Sequence, residues 1–211
     1  MSKFTTGFNA LDIMNTIKNI KGDYDSIMYA LHHENEEKFV NKMAGVWATK
    51  RAIKFFKLYK DDIDSLTKRV ADLTDVAIKG INEDGKRWAS TTENDYTPVT
   101  YTLSPNKLNV SNIKDNIDGD AGIYESEALS IVQNLTIVKE HVVLGLDNGI
   151  KHVNSSGFLG QGQSDELIAA FTKLKDIVER QFNEISEAAT RIVKEEVKTY
   201  GDRGSKISFE I

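Results

Sequence analysis

The apolar positions of this chain form ladders of helical period, and the ladders state one plan twice. Phe8, Leu11, Met14, Ile17, Ile20, Tyr24, Ile27 and Leu31 step by three and four residues and predict a helix over about residues 8–32. The polar run His32-His33-Glu34-Asn35-Glu36-Glu37 predicts a turn. Phe39, Met43 and Trp47 restart the rhythm, and Phe56, Tyr59, Ile63, Leu66, Val70, Leu73 and Ala77 carry it toward Trp88. The second helix therefore starts near Glu36 or near Trp47. In the second copy Leu129, Val132, Leu135, Val138, Val142 and Leu146 predict a helix from about Ser126 to Val153, ended by the turn residues Asn154-Ser155-Ser156-Gly157. Phe171, Leu174, Val178, Gln181, Ile185, Ala188 and Ile192 then mark a longer helix. It is expected to be capped by Ser164, with Asp165 and Glu166 in its first turn, and to be stopped by Gly201 and Gly204.

A helix with one apolar stripe cannot bury it alone. Two such hairpins predict a mainly α protein, an elongated four-helix bundle. The expected organisation is a first hairpin over residues 1–90, a linker over 91–122, a second hairpin over 123–203 and a C-terminal strand over 204–211. The linker differs in kind. Val99-Thr100-Tyr101-Thr102-Leu103 and Leu108-Asn109-Val110 flank the turn Ser104-Pro105-Asn106-Lys107 and predict a small β-hairpin. A lone hairpin is marginal in water, so the alternating run Lys206-Ile207-Ser208-Phe209-Glu210-Ile211 is the candidate third strand.

Composition narrows the function. With 40% hydrophobic and 28% charged residues the chain reads as a folded domain, and its formal charge of −5 argues against nucleic acid as the main partner. Lys50, Arg51, Lys54, Lys57 and Lys60 lie close together and read as a solvated helix face. The absence of cysteine excludes disulfides and thiolate metal sites. No window offers the roughly 18 apolar residues of a membrane span, and the first residues do not pattern as a signal peptide. The expected location is the cytoplasm, or outside the cell by a route without a cleaved signal.

The break in each copy carries a family resemblance. Ala44-Gly45-Val46-Trp47-Ala48-Thr49 precedes Phe56 in one, and Gly157-Phe158-Leu159-Gly160 precedes Phe171 in the other. Both resemble the Trp-X-Gly helical hairpins, the early-secreted-antigen-like proteins of bacterial type VII secretion. In that family a tryptophan and a glycine mark the turn between two helices, and members pair as antiparallel four-helix bundles. The resemblance implies a tandem hairpin whose turn residues are Trp47, Thr49, Phe56, Phe158, Gly160 and Phe171. The chain departs from the pattern at Thr49, where glycine is usual, and at Phe158, where tryptophan is. It also lacks the family's export tag, a tyrosine with an acidic residue four positions on: Tyr200 is followed at that spacing by Gly204.

Residues that could carry chemistry read more simply as structure. His32 and His33 are adjacent and would point about 100° apart on a helix, poor spacing for shared metal ligation. Asn116, Asp118, Asp120 and Glu127 fall at the ligand positions of a calcium loop, but Ala121 stands where that loop wants glycine. A polar loop capping the next helix is the expected reading. Residues 157–162 have scattered glycines but no phosphate-loop lysine. His141 and His152 read as packing or surface residues, and the aromatics at the breaks as core. No active site, cofactor, metal or small-molecule substrate is expected.

The implied function is that of a non-enzymatic interaction protein, a substrate or chaperone of type VII secretion. It would dock helix on helix with other helical secretion proteins or effectors, or with a secretion ATPase. The alternatives are a small helical pore-forming toxin, whose central segment is too polar for easy membrane entry, and a structural helical component. A leftover apolar stripe would drive further assembly.

Overall fold

The computed structural model describes residues 10–93, 95–114, 121–156 and 161–204. The protein is mainly helical, a helical bundle with a small β element. Helix α1, Ala10–Tyr29, runs into two π-helical segments, Ala30–Glu34 and Glu36–Val40, and then the short α2, Asn41–Ala44. Strand β1, Trp47–Ala48, separates these from α3, Lys50–Thr92. Beyond the linker come β2, Gly122–Ile123, and then α4, Glu125–Val132; α5, Asn134–Ser155; and α6, Gln161–Gly204. Among the described residues no helix is long and apolar enough to cross a membrane.

The chain condenses into two compact units. One draws on the chain up to Tyr29, on Ser65–Asn106 and on His141–Val178; the other on Ala30–Asp64, on Lys107–Glu140 and on the chain from Glu179. Each unit thus takes helix from both halves of the sequence.

In the first unit, α1 buries Ile13, Ile17, Ile20, Tyr24 and Ile27. The ladder on α3 is buried as its period predicts, with Leu66, Val70, Ala77 and Ile81 inside. Helix α5 approaches α1 closely at Gly145, where an added Cβ would press on Ile27 Cγ1. Two polar contacts tie helices here: His152 Nδ1 lies 2.7 Å from Asp23 Oδ2, and Lys175 Nζ donates to Asp147 Oδ1 at 2.9 Å. Partial burial holds the Asp23 carboxyl above its ordinary range, and His152 offsets part of that rise. Leu11 and Met14 are exposed, against expectation, because the buried face of α1 turns on Ile13 in their place.

In the second unit the predicted turn at 32–37 is absent. The helix continues through it in π form, and His32, Glu34 and Asn35 are buried. The polar side chains find partners inside: Asn35 Nδ2 donates to Leu31 O at 3.1 Å, and its Oδ1 accepts from Tyr59 at 2.6 Å. Lys38 Nζ lies 2.6 Å from Glu34 Oε1. A polar run can stay helical when its groups are satisfied by the fold, a condition composition does not reveal.

Residues 99–110 form no strand. The β element is instead β1 with β2, antiparallel, with Trp47 opposite Ile123 and Ala48 opposite Gly122. The linker backbone is held by helix side chains in place of a second strand. In the first unit Asn82 acts as a one-residue strand: its Oδ1 accepts from Val99 N at 2.9 Å and its Nδ2 donates to Val99 O at 2.7 Å. In the second, Leu108 N donates to Asp64 Oδ1 and Asn109 N to Glu36 Oε1, each at 2.8 Å. Backbone groups satisfied this way have no need of a β partner. The candidate third strand at 206–211 lies outside the described residues.

The second half differs from expectation in detail. Its first helix is interrupted at Gln133, between α4 and α5. Helix α6 starts at Gln161, which places Ser164 inside it and not at its cap, and it continues through Gly201.

Candidate functional site

The break before α3 is built from local bonds. Gly45 N donates to Lys42 O and Val46 N to Met43 O, closing the preceding helix. Tyr124 N donates to Val46 O at 2.9 Å, clipping the β2 segment onto the break. Thr49 caps α3: its Oγ1 accepts from Ala52 N at 3.1 Å. Trp47 lies between, fully buried, and its Nε1 donates to Glu196 Oε2 of α6 at 2.6 Å.

An aromatic cluster extends from this point. The ring centroid of Trp47 is 5.5 Å from Phe55 and 6.1 Å from Phe56, and Phe39 packs 5.4 Å from Phe56 and 5.2 Å from Tyr59. Mixed tilted and edge-on geometries are those that aromatic quadrupoles favour. Complete burial pushes the Tyr59 phenol well up, and its bond to Asn35 offsets only part of this. In this structure the hydroxyl donates to Asn35 Oδ1. Phe171 is buried in the first unit against Gly149, where a Cβ would meet its ring at 3.0 Å. Phe158 and Gly160 lie outside the described residues. Trp47, Thr49 and Phe56 are therefore brought together at one break, and Phe171 is packed elsewhere.

Beside the cluster, in the second unit, α3 and α6 border a half-open cleft of about 550 Å³. Its apolar lining is Phe55, Leu58 and Tyr59 from α3 and Ile185, Ala188 and Ile192 from α6. The apolar ladder on α6 explains it. Below Val178 the buried stripe moves to Phe182, Ile185, Ala189 and Val193, whereas Gln181, Ala188 and Ile192 are only half-buried and face the cleft. The helix thus carries two adjacent apolar stripes; one fills the core and one is left over. Periodicity exposes the surplus but cannot rank the two stripes, because they differ by a single position.

The cleft is also polarised. Arg51, Lys54, Arg191 and Glu195 line the end near Trp47, and Asp62 and Glu184 the other. Asp62 is exposed at its lip, and partial desolvation, followed by the charges of Asp61 and Glu184, holds its carboxyl above the usual range. Arg51 and Lys54 belong to the basic face read from the sequence and are exposed as expected. The sequence reading did not single out Asp62, Glu184 or Arg191, which lie on a solvated helix face until the partner helix is known.

Among the described residues no group of three His, Asp or Glu side chains is placed to hold a metal ion. Residues 116, 118 and 120 lie outside the described residues, and Glu127 sits in the first turn of α4. His141 is exposed on α5, and His152 forms the contact with Asp23 described above. Compared with known protein families, curated proteins and solved structures, the chain matches none.

Proposed function

We propose that this chain is a non-enzymatic interaction protein akin to the substrates and chaperones of bacterial type VII secretion, working by helix-on-helix docking to a helical partner. The observation that carries the docking half is the leftover stripe on α6, Ala188 and Ile192 with Gln181 beside them, half-buried and facing an open cleft. Apolar helix surface left uncovered beside a filled core is what helix-in-groove recognition uses. The secretion half rests on the hairpin resemblance: a helix, a break holding Trp47, and a long helix carrying Phe56, with a second break between α5 and α6. Thr49 in place of glycine suits that break, since threonine caps the following helix as a glycine could not.

The test uses the full chain with the purified helical-hairpin proteins and secretion ATPase of a type VII apparatus from the same bacterium. A stable complex with at least one of them on size-exclusion chromatography is expected, together with loss of export, or of a client's export, when the ATPase is deleted. No complex and no dependence on the ATPase would remove the secretion assignment.

A further inference from the structure

The polarised cleft in the second unit specifies more than an apolar partner. Arg51 to Asp62 spans eleven residues of α3, about 17 Å of helix at 1.5 Å per residue. The α6 border runs antiparallel to it, since Trp47 meets Glu196 at one end and Asp62 feels Glu184 at the other. A trough lined along about three turns of α3 suits a helix better than a compact small molecule. Its two ends ask for opposite charges. At one, Arg51, Lys54 and Arg191 outnumber Glu195; at the other, Asp62 and Glu184 stand together, with Arg180 4.0 Å from Glu184 on the solvent side. None of Arg51, Lys54, Asp62 and Arg191 is in an ion pair among the described residues.

A second observation marks the acidic end. Gln181 Oε1 is buried there and has no hydrogen-bond partner among the described residues. A buried acceptor left unsatisfied costs free energy, and a ligand's donor would relieve it once the Gln181 side chain turns into the cleft. Acceptor and carboxylates ask for the same thing, a cationic side chain with several N–H donors.

We propose that this trough seats an amphipathic helix whose lysine or arginine enters beside Gln181, Asp62 and Glu184, while an aspartate or glutamate about three turns away meets Arg51, Lys54 and Arg191. Apolar side chains between them cover Phe55, Leu58 and Ile185. The charges at the two ends set which way the helix lies. This rests on the docking half of the proposed function and not on the secretion half.

The experiment measures fluorescence anisotropy of a labelled synthetic helical peptide against the full chain. The peptide has capped ends, an aspartate, leucines about four and seven residues later, and a lysine about eleven residues later, on an alanine–glutamine background. Saturable binding is expected. Asp62→Lys combined with Glu184→Lys is expected to weaken it at least tenfold, and a peptide with glutamate in place of its lysine to recover at least half of that loss on the double variant. Both substituted side chains are exposed, so the helical circular dichroism spectrum should be unchanged. No binding, or binding that ignores both changes, overturns the proposal. For the unaltered protein, Lys→Glu in the peptide alone must also cost at least tenfold; indifference to it overturns the proposal even if the double variant fails to fold. Peptide failure with ATPase-dependent export intact removes this occupant only, and peptide binding with ATPase-independent export removes the secretion assignment only.

Discussion

Trp47 Nε1 donates to Glu196 Oε2 at 2.6 Å across 149 positions of sequence, and both side chains are buried. The bond ties the break before α3 to the far part of α6. Trp47→Phe keeps most of the aromatic packing and removes the donor, leaving a buried carboxylate short of a partner. The expected loss is about 1–3 kcal/mol in urea unfolding. Glu196→Gln, which keeps an acceptor for the indole, should cost less than Trp47→Phe. The reverse order would show that packing and not this bond holds the break.

Asn82 uses its whole amide, donating to Ile78 O and Val99 O and accepting from Val99 N and Tyr96 Oη. Asn82→Ala should therefore free the segment around Val99 as well as lower stability by about 1–3 kcal/mol. Amide hydrogen exchange at Val99 is expected to accelerate more than exchange in the middle of α3. Equal acceleration at both places would mean global unfolding and no local tether.

Asp84 is buried, and its carboxyl is raised above the ordinary range chiefly by desolvation, with Arg87 and Gln163 pulling the other way. A raised folded pKa means the native state binds the proton more tightly than the unfolded chain does. Asp84 therefore contributes stability that is full below the unfolded value of 3.8 and is lost as pH rises through the folded one. Asp84→Asn removes that dependence. The urea midpoint of the variant relative to the native protein should rise from about pH 4 to pH 7. A relative midpoint that falls over this range would mean that the charged form, held by Arg87 and Gln163, is the favoured one.

Glycines give a matched pair. At Gly145 an added Cβ would press on Ile27 Cγ1, near the root of that side chain, whereas at Gly80 of α3 it would meet open space. Gly145→Ala should destabilise by about 1–3 kcal/mol, the usual cost of forcing extra volume into a packed contact. Gly80→Ala should stabilise by about 0.4–1 kcal/mol through the unfolded chain and helix propensity. Thermal unfolding of both variants reads the two signs directly.

Much of this architecture was legible beforehand. The long ladders showed where helix runs, because burying one stripe at a period of 3.6 residues is a local requirement that any partner surface imposes; the start of α3 was left open between Glu36 and Trp47, and the structure puts it at Lys50, just after Trp47. The ladder from Phe56 through Ala77 is buried at every step but Leu73, which is half-buried. Polar segments were read less well for one reason. His32–Glu37 looked like a turn from its polar composition and residues 99–110 like strands from their strand-favouring and turn residues, because composition does not show the partners that polar groups find in the fold. The partners are Tyr59, Asn82, Asp64 and Glu36, on other elements.

The candidate site shows the same division. Helical period placed an apolar ladder on α6, and the reading drew it through Gln181, Ile185, Ala188 and Ile192, although Phe182, Ala189 and Val193 run beside them at the same spacing. Period could not decide which of the two would be covered. A one-residue step turns a helix by about 100°, and the choice belongs to the side chains that arrive from α3 and the π-helical segment. Tertiary packing put Phe182 inside, left Gln181 at the cleft, and brought Asp62 and Arg51 of one helix to Glu184 and Arg191 of another. Periodicity is set within a helix, whereas a cleft exists only between two.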